Sequence, residues 1–156
     1  MRLLSVDDDK TSLLLVESLA QKIGFETSSF LRPSQALEAA KSAEFDMMLV
    51  DFVMPEMGGI DFVKSAREIH NDIPIVMITG TIEDDSLKIK ALEAGATEFL
   101  NKPIDIAEFR ARLSNLSQLR KSQLLLQDRA SLLEEEVSKA TKQIVDREYE
   151  TLYTLG

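Results

Sequence analysis

Residues 47–53 read Met-Met-Leu-Val-Asp-Phe-Val, an apolar run broken once, by Asp51. So short and so apolar a stretch suits a strand covered on both faces, as in a parallel sheet. Upstream, residues 3–6 form a short apolar run that ends in Asp7, Asp8 and Asp9. Residues 11–23 carry apolar side chains at 13, 16, 19, 20 and 23, a helical face stopped by Gly24. Residues 25–30 lean toward strand, and 34–43 form an alanine-rich helix with Ser34 as candidate cap. Downstream, Gly58-Gly59 marks a turn and 60–69 is amphipathic. Residues 75–78 are a second wholly apolar strand ending at Thr79-Gly80. A helix over 84–94 stops at Gly95, and 97–100 is a last strand before Lys102-Pro103. Five strand–helix units in alternation, (βα)5, predict an α/β domain: a doubly wound parallel sheet with helices on both faces. In such sheets reactive groups collect beyond the carboxyl ends of the strands.

Composition narrows the classes. The chain has 156 residues, 44% hydrophobic and 29% charged, enough for one domain with a short appendage. It has no cysteine, which excludes disulfides, zinc–thiolate sites and a cysteine nucleophile. Its one histidine, His70, excludes a metal site with two His ligands, and in Ile-His-Asn-Asp it reads as a surface turn residue. A net charge of -9 argues against nucleic acid or an anionic membrane as partner. No apolar run approaches the roughly 20 residues that span a bilayer. The N-terminus turns acidic too soon for a signal peptide, so a cytoplasmic protein is expected.

The strand ends carry the chemistry. Asp7, Asp8 and Asp9 follow strand one, Asp51 ends strand three, Thr79 ends strand four, and Lys102 follows strand five. Polar residues at strand ends commonly do no more than meet solvent. Asp51 departs from that pattern, because a carboxylate inside an apolar run needs a partner or a cation. Clustered carboxylates repel one another, and a hard divalent cation such as Mg²⁺, which takes oxygen ligands, relieves the repulsion. A carboxylate can also attack phosphorus and form an acyl phosphate. Charge on the equatorial oxygens then calls for a metal, a cation and a hydrogen-bond donor. Asp7 and Asp8 can supply the metal site, Asp51 the nucleophile, Lys102 the cation and Thr79 the donor. No Gly-x-x-x-x-Gly-Lys phosphate loop or Gly-x-Gly-x-x-Gly fingerprint offers a rival phosphate site.

Taken in order, four motifs resemble the receiver domain of two-component response regulators. They are Val-Asp-Asp-Asp at 6–9, Val-Asp-Phe-Val-Met-Pro-Glu-Met-Gly-Gly at 50–59, Ile-Thr-Gly at 78–80 and Asn-Lys-Pro-Ile at 101–104. The match covers residues 1 to about 118, read as the receiver domain 1–118. The resemblance implies a flavodoxin-like sheet of order 2-1-3-4-5. It implies Asp51 as phosphoacceptor and a sensor histidine kinase as donor. It implies Asp8 as a direct Mg²⁺ ligand, Asp7 as its mostly water-mediated partner, and the Val53 backbone carbonyl as the third protein ligand beside Asp51. Thr79 and Lys102 would hold the phosphoryl oxygens, Phe99 would be the aromatic switch, and Lys102-Pro103 a cis bond. Phe99 lacks a tyrosine's hydroxyl, so switching by burial is expected. Gly80 leaves open space beside the acceptor. Such a receiver is no enzyme beyond its own phosphorylation and dephosphorylation.

Past residue 104 the composition changes. Residues 1–104 hold 10 Lys/Arg against 18 Asp/Glu, and residues 105–156 hold 8 against 9. All four prolines lie before residue 104, and Gly156 is the only glycine after Gly95. One long helix is predicted. Asp105 is its candidate N-cap, with Glu108 at capping-box spacing. Phe109, Leu113 and Leu116 can pack on the sheet. Leu116, Leu119, Gln123, Leu126, Ala130, Leu133, Val137, Ala140 and Ile144 then step by alternating threes and fours, a heptad seam. At about 1.5 Å per residue it reaches roughly 40 Å. A parallel homodimer is expected, with Arg129 facing Glu134 of a second copy; a single helix folded back on its own domain is the plainer use. Residues 119–156, from the Leu-Leu-Gln-Asp-Arg stretch to Arg-Glu-Tyr-Glu-Thr-Leu, resemble the linker of regulators that carry an HD-GYP cyclic-di-GMP phosphodiesterase domain. That implies a downstream output domain, whose catalytic motif this chain lacks. The alternative is a stand-alone receiver acting as a scaffold or sequestering module.

Overall fold

A computed structural model describes residues 1–80 and 85–155, with side chains described through residue 141. Strands and helices alternate as β1 (Arg2–Val6), α1 (Lys10–Ile23), β2 (Glu26–Phe30), α2 (Pro33–Ser42), β3 (Met47–Asp51), α3 (Gly59–Ile69), β4 (Ile75–Thr79), α4 (Asp85–Ala94), β5 (Glu98–Asn101) and α5 (Ile106–Leu155). All strand pairs are parallel and the sheet order is β2-β1-β3-β4-β5. This is the doubly wound, flavodoxin-like order that the receiver resemblance implies.

The apolar runs of β1, β3 and β4 arise because each of these strands feeds two cores. Leu4, Val6, Met48, Val50, Ile75 and Met77 face α2, α3 and α4. The alternate residues Leu3, Met47, Leu49, Val76 and Ile78 face α1 and α5, where Phe109, Leu113 and Leu116 are buried. Successive strand side chains point to opposite faces, so a strand covered twice is apolar on both, and the small Ser5 is the one buried polar residue inside β1. Each fully buried Leu, Ile or Phe side chain contributes about 1.5–3 kcal/mol.

Local chemistry sets the helix ends. Asp9 caps α1, and Gly24 closes it in the left-handed conformation at φ 111°. The cap expected of Ser34 is not made: α2 begins at Pro33 with no side-chain cap, and the Ser34 hydroxyl donates to Glu56 instead. Proline at the first helical position has a suitable φ and no N–H to satisfy, so the cap has less to do. Asp105 does accept from the Glu108 amide at 3.0 Å, but Glu108 turns its carboxylate to Arg112 rather than back to the cap. The capping box is half formed.

The chain divides into two compact units, Met1–Arg120 and Lys121–Gly156. In the first, Leu116 is buried in the sheet-facing core, so it is withdrawn from the heptad seam. Arg120 is buried as well. Leu119 is half exposed, and in the second unit Leu126, Ala130, Leu133, Val137 and Ala140 are exposed. Ile144 lies outside the described side chains. Among the described residues, no helix is long and apolar enough to cross a membrane.

Candidate functional site

Register builds the site. Val6 pairs with Val50, so the next residues along β1 and β3, Asp7 and Asp51, emerge side by side. Both are buried, at 3% and 7% exposure. Thr79, buried at the end of β4, accepts the Lys102 amide through its carbonyl at 2.6 Å. That bond brings Lys102 over the carboxylates, just ahead of a cis peptide to Pro103. Lys102 Nζ donates to Asp7 Oδ2 at 3.3 Å and to Asp51 Oδ1 at 3.2 Å. Carboxylate oxygens of Asp7, Asp8 and Asp51 lie within 4.8 Å of one another, with Asp8 on the exposed side.

The electrostatics follow from that geometry. Burial, and next the charge of Asp7, push the Asp51 carboxyl up to about 6 despite Lys102. Burial also works against the Lys102 ammonium, but the attraction of Asp51 and Asp7 outweighs it and the net direction is up. Lys102 stays charged, and one ammonium serves two buried carboxylates. The donor set is all oxygen and open to solvent on the Asp8 side, which fits a hard divalent cation that keeps some of its waters.

The structure separates the three tandem acids. Asp7 and Asp8 face Asp51, whereas Asp9 starts α1, accepting from the Thr11 amide and the Ser12 hydroxyl at 3.0 Å each. The Ser12 bond first, then the Thr11 amide, hold the Asp9 carboxyl below its ordinary range. The Asp9 amide in turn donates to Asp7 Oδ1 at 2.9 Å and orients it. Val53 follows β3 with a largely exposed side chain. Phe99, on β5, is half-buried against the α2–α3–α4 core. A Cβ placed on Gly80 would meet nothing within 4 Å, so space is open beside Thr79. His70 stands apart from the site: its Nε2–H donates to the Ala40 carbonyl at 2.9 Å.

Sequence reasoning missed one positioning residue. A Cβ at Gly59 would lie 2.7 Å from the Asp51 carbonyl oxygen and 2.9 Å from Phe52 Cα. Only glycine lets α3 begin so close to the end of β3. The Gly-Gly pair was the available signal, readable as a turn but not as a close approach.

A five-stranded doubly wound sheet with an acidic, lysine-bridged pocket at its carboxyl edge defines a class of α/β domain. Residues 3–114 match the response regulator receiver domain family, and the chain belongs to it. It is a receiver of the two-component systems. Over its whole length it is 35% identical to the cyclic di-GMP phosphodiesterase response regulator RpfG of Xanthomonas campestris pv. campestris, covering 42% of that protein. It is 34% identical to the transcriptional regulatory protein PrrA of Mycobacterium leprae over 76% of this chain and 51% of the relative. The chain thus spans about half the length of these curated relatives. The structure of the Vibrio cholerae chemotaxis protein CheY4 superposes with a TM-score of 0.69 at 30% identity, covering 74% of this chain and 97% of that one. The likeness to RpfG includes the long helix, the segment that resembles a phosphodiesterase linker.

Proposed function

We propose that this receiver takes a phosphoryl group from a sensor histidine kinase onto Asp51, with Mg²⁺ held by Asp7, Asp8, Asp51 and the Val53 carbonyl. The observation that carries the reading is the Lys102 ammonium spanning Asp7 and Asp51 inside a three-carboxylate cluster. The Asp51 carboxylate oxygen forms the new bond to phosphorus. The bond from phosphorus to the kinase's imidazole nitrogen breaks, and the imidazole keeps the electron pair and takes up a proton. Mg²⁺ bound at these residues would offset the carboxylate charge and the charge on the phosphoryl oxygens. Lys102 would neutralise a phosphoryl oxygen, and the Thr79 hydroxyl would donate to another, drawn toward Asp51. Phe99, half-buried, would turn further inward as Thr79 moves.

The phosphorylated state is then read by α5 and passed to a downstream output domain. The likeness to RpfG, over the whole of this chain and 42% of that protein, favours a cyclic-di-GMP phosphodiesterase of the HD-GYP kind. The exposed residues Leu119, Leu126, Ala130, Leu133, Val137 and Ala140, with Ile144 continuing their spacing, form the seam of a parallel homodimer.

Intact mass spectrometry with a small phosphodonor and Mg²⁺ tests the acceptor. Wild type gains one phosphoryl mass and Asp51→Asn gains none; equal labelling of both removes Asp51 from the role. Light scattering at tens of micromolar tests the seam. Monomeric protein with and without beryllofluoride would favour the scaffold reading.

A further inference from the structure

Arg120 is the last residue of the first compact unit, and its side chain is 9% exposed. Its Nε lies 3.4 Å from Asp46 Oδ1 and its Nη1 3.3 Å from Asp72 Oδ2. Asp46 precedes β3 by one residue, and its other oxygen accepts the Arg2 amide of β1 at 2.9 Å. Asp72 lies three residues before β4. The two strands rooted at these aspartates carry Asp51 and Thr79 at their far ends. Every residue of both strands is buried, and they are paired in register from Met48–Ile75 to Asp51–Ile78.

We infer that Arg120 is a positioning residue that couples the phosphoacceptor edge of the sheet to the long helix. The planar guanidinium fork can satisfy both carboxylates only in one relative placement of the roots of β3 and β4. A five-residue strand gripped on both sides by ladder bonds and packing moves as a stiff piece. A shift of β4 against β3 that accompanies the Thr79 movement is therefore felt at Asp72 relative to Asp46, and Arg120 bridges that pair from α5. The helix runs on from Arg120 to Lys121 without a break, so a change at Arg120 has a continuous helix along which to pass. This route uses the amino ends of the strands and is separate from the Phe99 face. It rests on the phosphoacceptor reading above, and the test keeps the two apart.

The chain has no cysteine, so Ser138→Cys, on an exposed turn of α5, gives one site for a fluorescent or spin label on the full chain. Beryllofluoride with Mg²⁺ is the probe. Its occupancy is read by fluorine NMR, and the tail response by the label. Arg120→Met removes the fork but keeps an apolar stem; Arg120→Lys keeps charge but loses the fork; Asp72→Asn removes one anchor.

In wild type the label responds on beryllofluoride binding. In Arg120→Met and Asp72→Asn occupancy stays within twofold of wild type while the label response falls at least fivefold, and Arg120→Lys restores part of it. A full response in Arg120→Met at matched occupancy overturns the proposal, even if its melting temperature is lower, because Arg120 is then only structural. A bound wild type with a silent label also overturns it. If Arg120→Met does not fold, Asp72→Asn and Arg120→Lys decide in the same way. Failure of beryllofluoride to bind wild type at all overturns the phosphoacceptor reading and this inference with it; every other failure leaves that reading standing.

Discussion

Beyond the carboxyl ends of β1 and β3, Asp7 and Asp51 share the ammonium of Lys102, with the Asp8 carboxylate beside them. Before the amino ends of β3 and β4, Asp46 and Asp72 share the guanidinium of Arg120, and Asp72 also lies in the field of Arg67. The first cluster has more acid than base and buries two of its three carboxylates. The second is balanced, and there the cation is the buried partner while its carboxylates are 22% and 38% exposed. Buried charge is tolerated when paired and costly when in excess. An excess of carboxylate at one edge fits a divalent cation, and a balanced cluster fits an anchor.

Removing the cation should therefore cost most at the acidic edge. Lys102→Met leaves Asp7 and Asp51 facing each other in a buried pocket, and destabilises the metal-free protein by about 3 kcal/mol at pH 8. The loss shrinks toward pH 5 as one carboxyl protonates. Arg120→Met leaves carboxylates that water can reach, and costs about 1–2 kcal/mol. Chemical denaturation of both variants in EDTA checks the ranking, and a larger loss at Arg120 would break the comparison.

The next effect is a pH dependence with a definite sign. The Asp51 carboxyl is pushed up to about 6 in the folded state, against about 3.9 in an unfolded chain. The native state holds a proton that the unfolded chain has released. This contribution is full below about pH 4, is lost as pH rises through about 6, and is flat above it. Asp51→Asn removes the titration, so without metal it should be more stable than wild type at pH 8 by about 3 kcal/mol, with little difference at pH 4. Mg²⁺ at tenfold excess over its Kd adds about 1.4 kcal/mol to wild type and so narrows the gap. Denaturation curves at pH 4, 6 and 8 with and without Mg²⁺ read all of this; a gap that does not change with pH would sink it.

The acidic edge was more legible in the sequence than the anchor, for a physical reason. Asp51 betrays itself by interrupting an apolar run, and Thr79 and Lys102 stand at the ends of strands that periodicity alone locates. What the sequence could not sort is tandem identity: Asp7, Asp8 and Asp9 are the same residue, and only the backbone's turn into α1 decides which one caps the helix. Arg120 was invisible for another reason. Its partners lie 74 and 48 residues away, and on a helix whose heptad continues past it, it reads as one more solvated charge. Leu116 was ambiguous in the same way, because the stripe that packs on the sheet and the seam beyond it share a period of three and four. Periodicity says that a face is apolar and is silent on what covers it.

The smallest effect sharpens the same contrast. Arg112 also pairs with two carboxylates, Glu98 at 3.2 Å and Glu108 at 3.0 Å, on the α5 segment of the first unit. By contact geometry it rivals Arg120, and the bonds to Glu98 and then Glu108 push its own ionisation further up. Its side chain is 41% exposed, however, against 9% for Arg120. Water solvates all three groups when the pair opens, so the pairing stabilises little: Arg112→Ala should cost about 0.5 kcal/mol, and less at 0.5 M salt. Arg120→Met should lose more and depend on salt less, since its guanidinium lies out of reach of most counter-ions. Measured in the same denaturant series, equal losses at the two arginines would mean that the number of ionic contacts, rather than burial, sets the strength of these pairs. The contrast drawn between an anchoring edge and an open one would then have to rest on geometry alone.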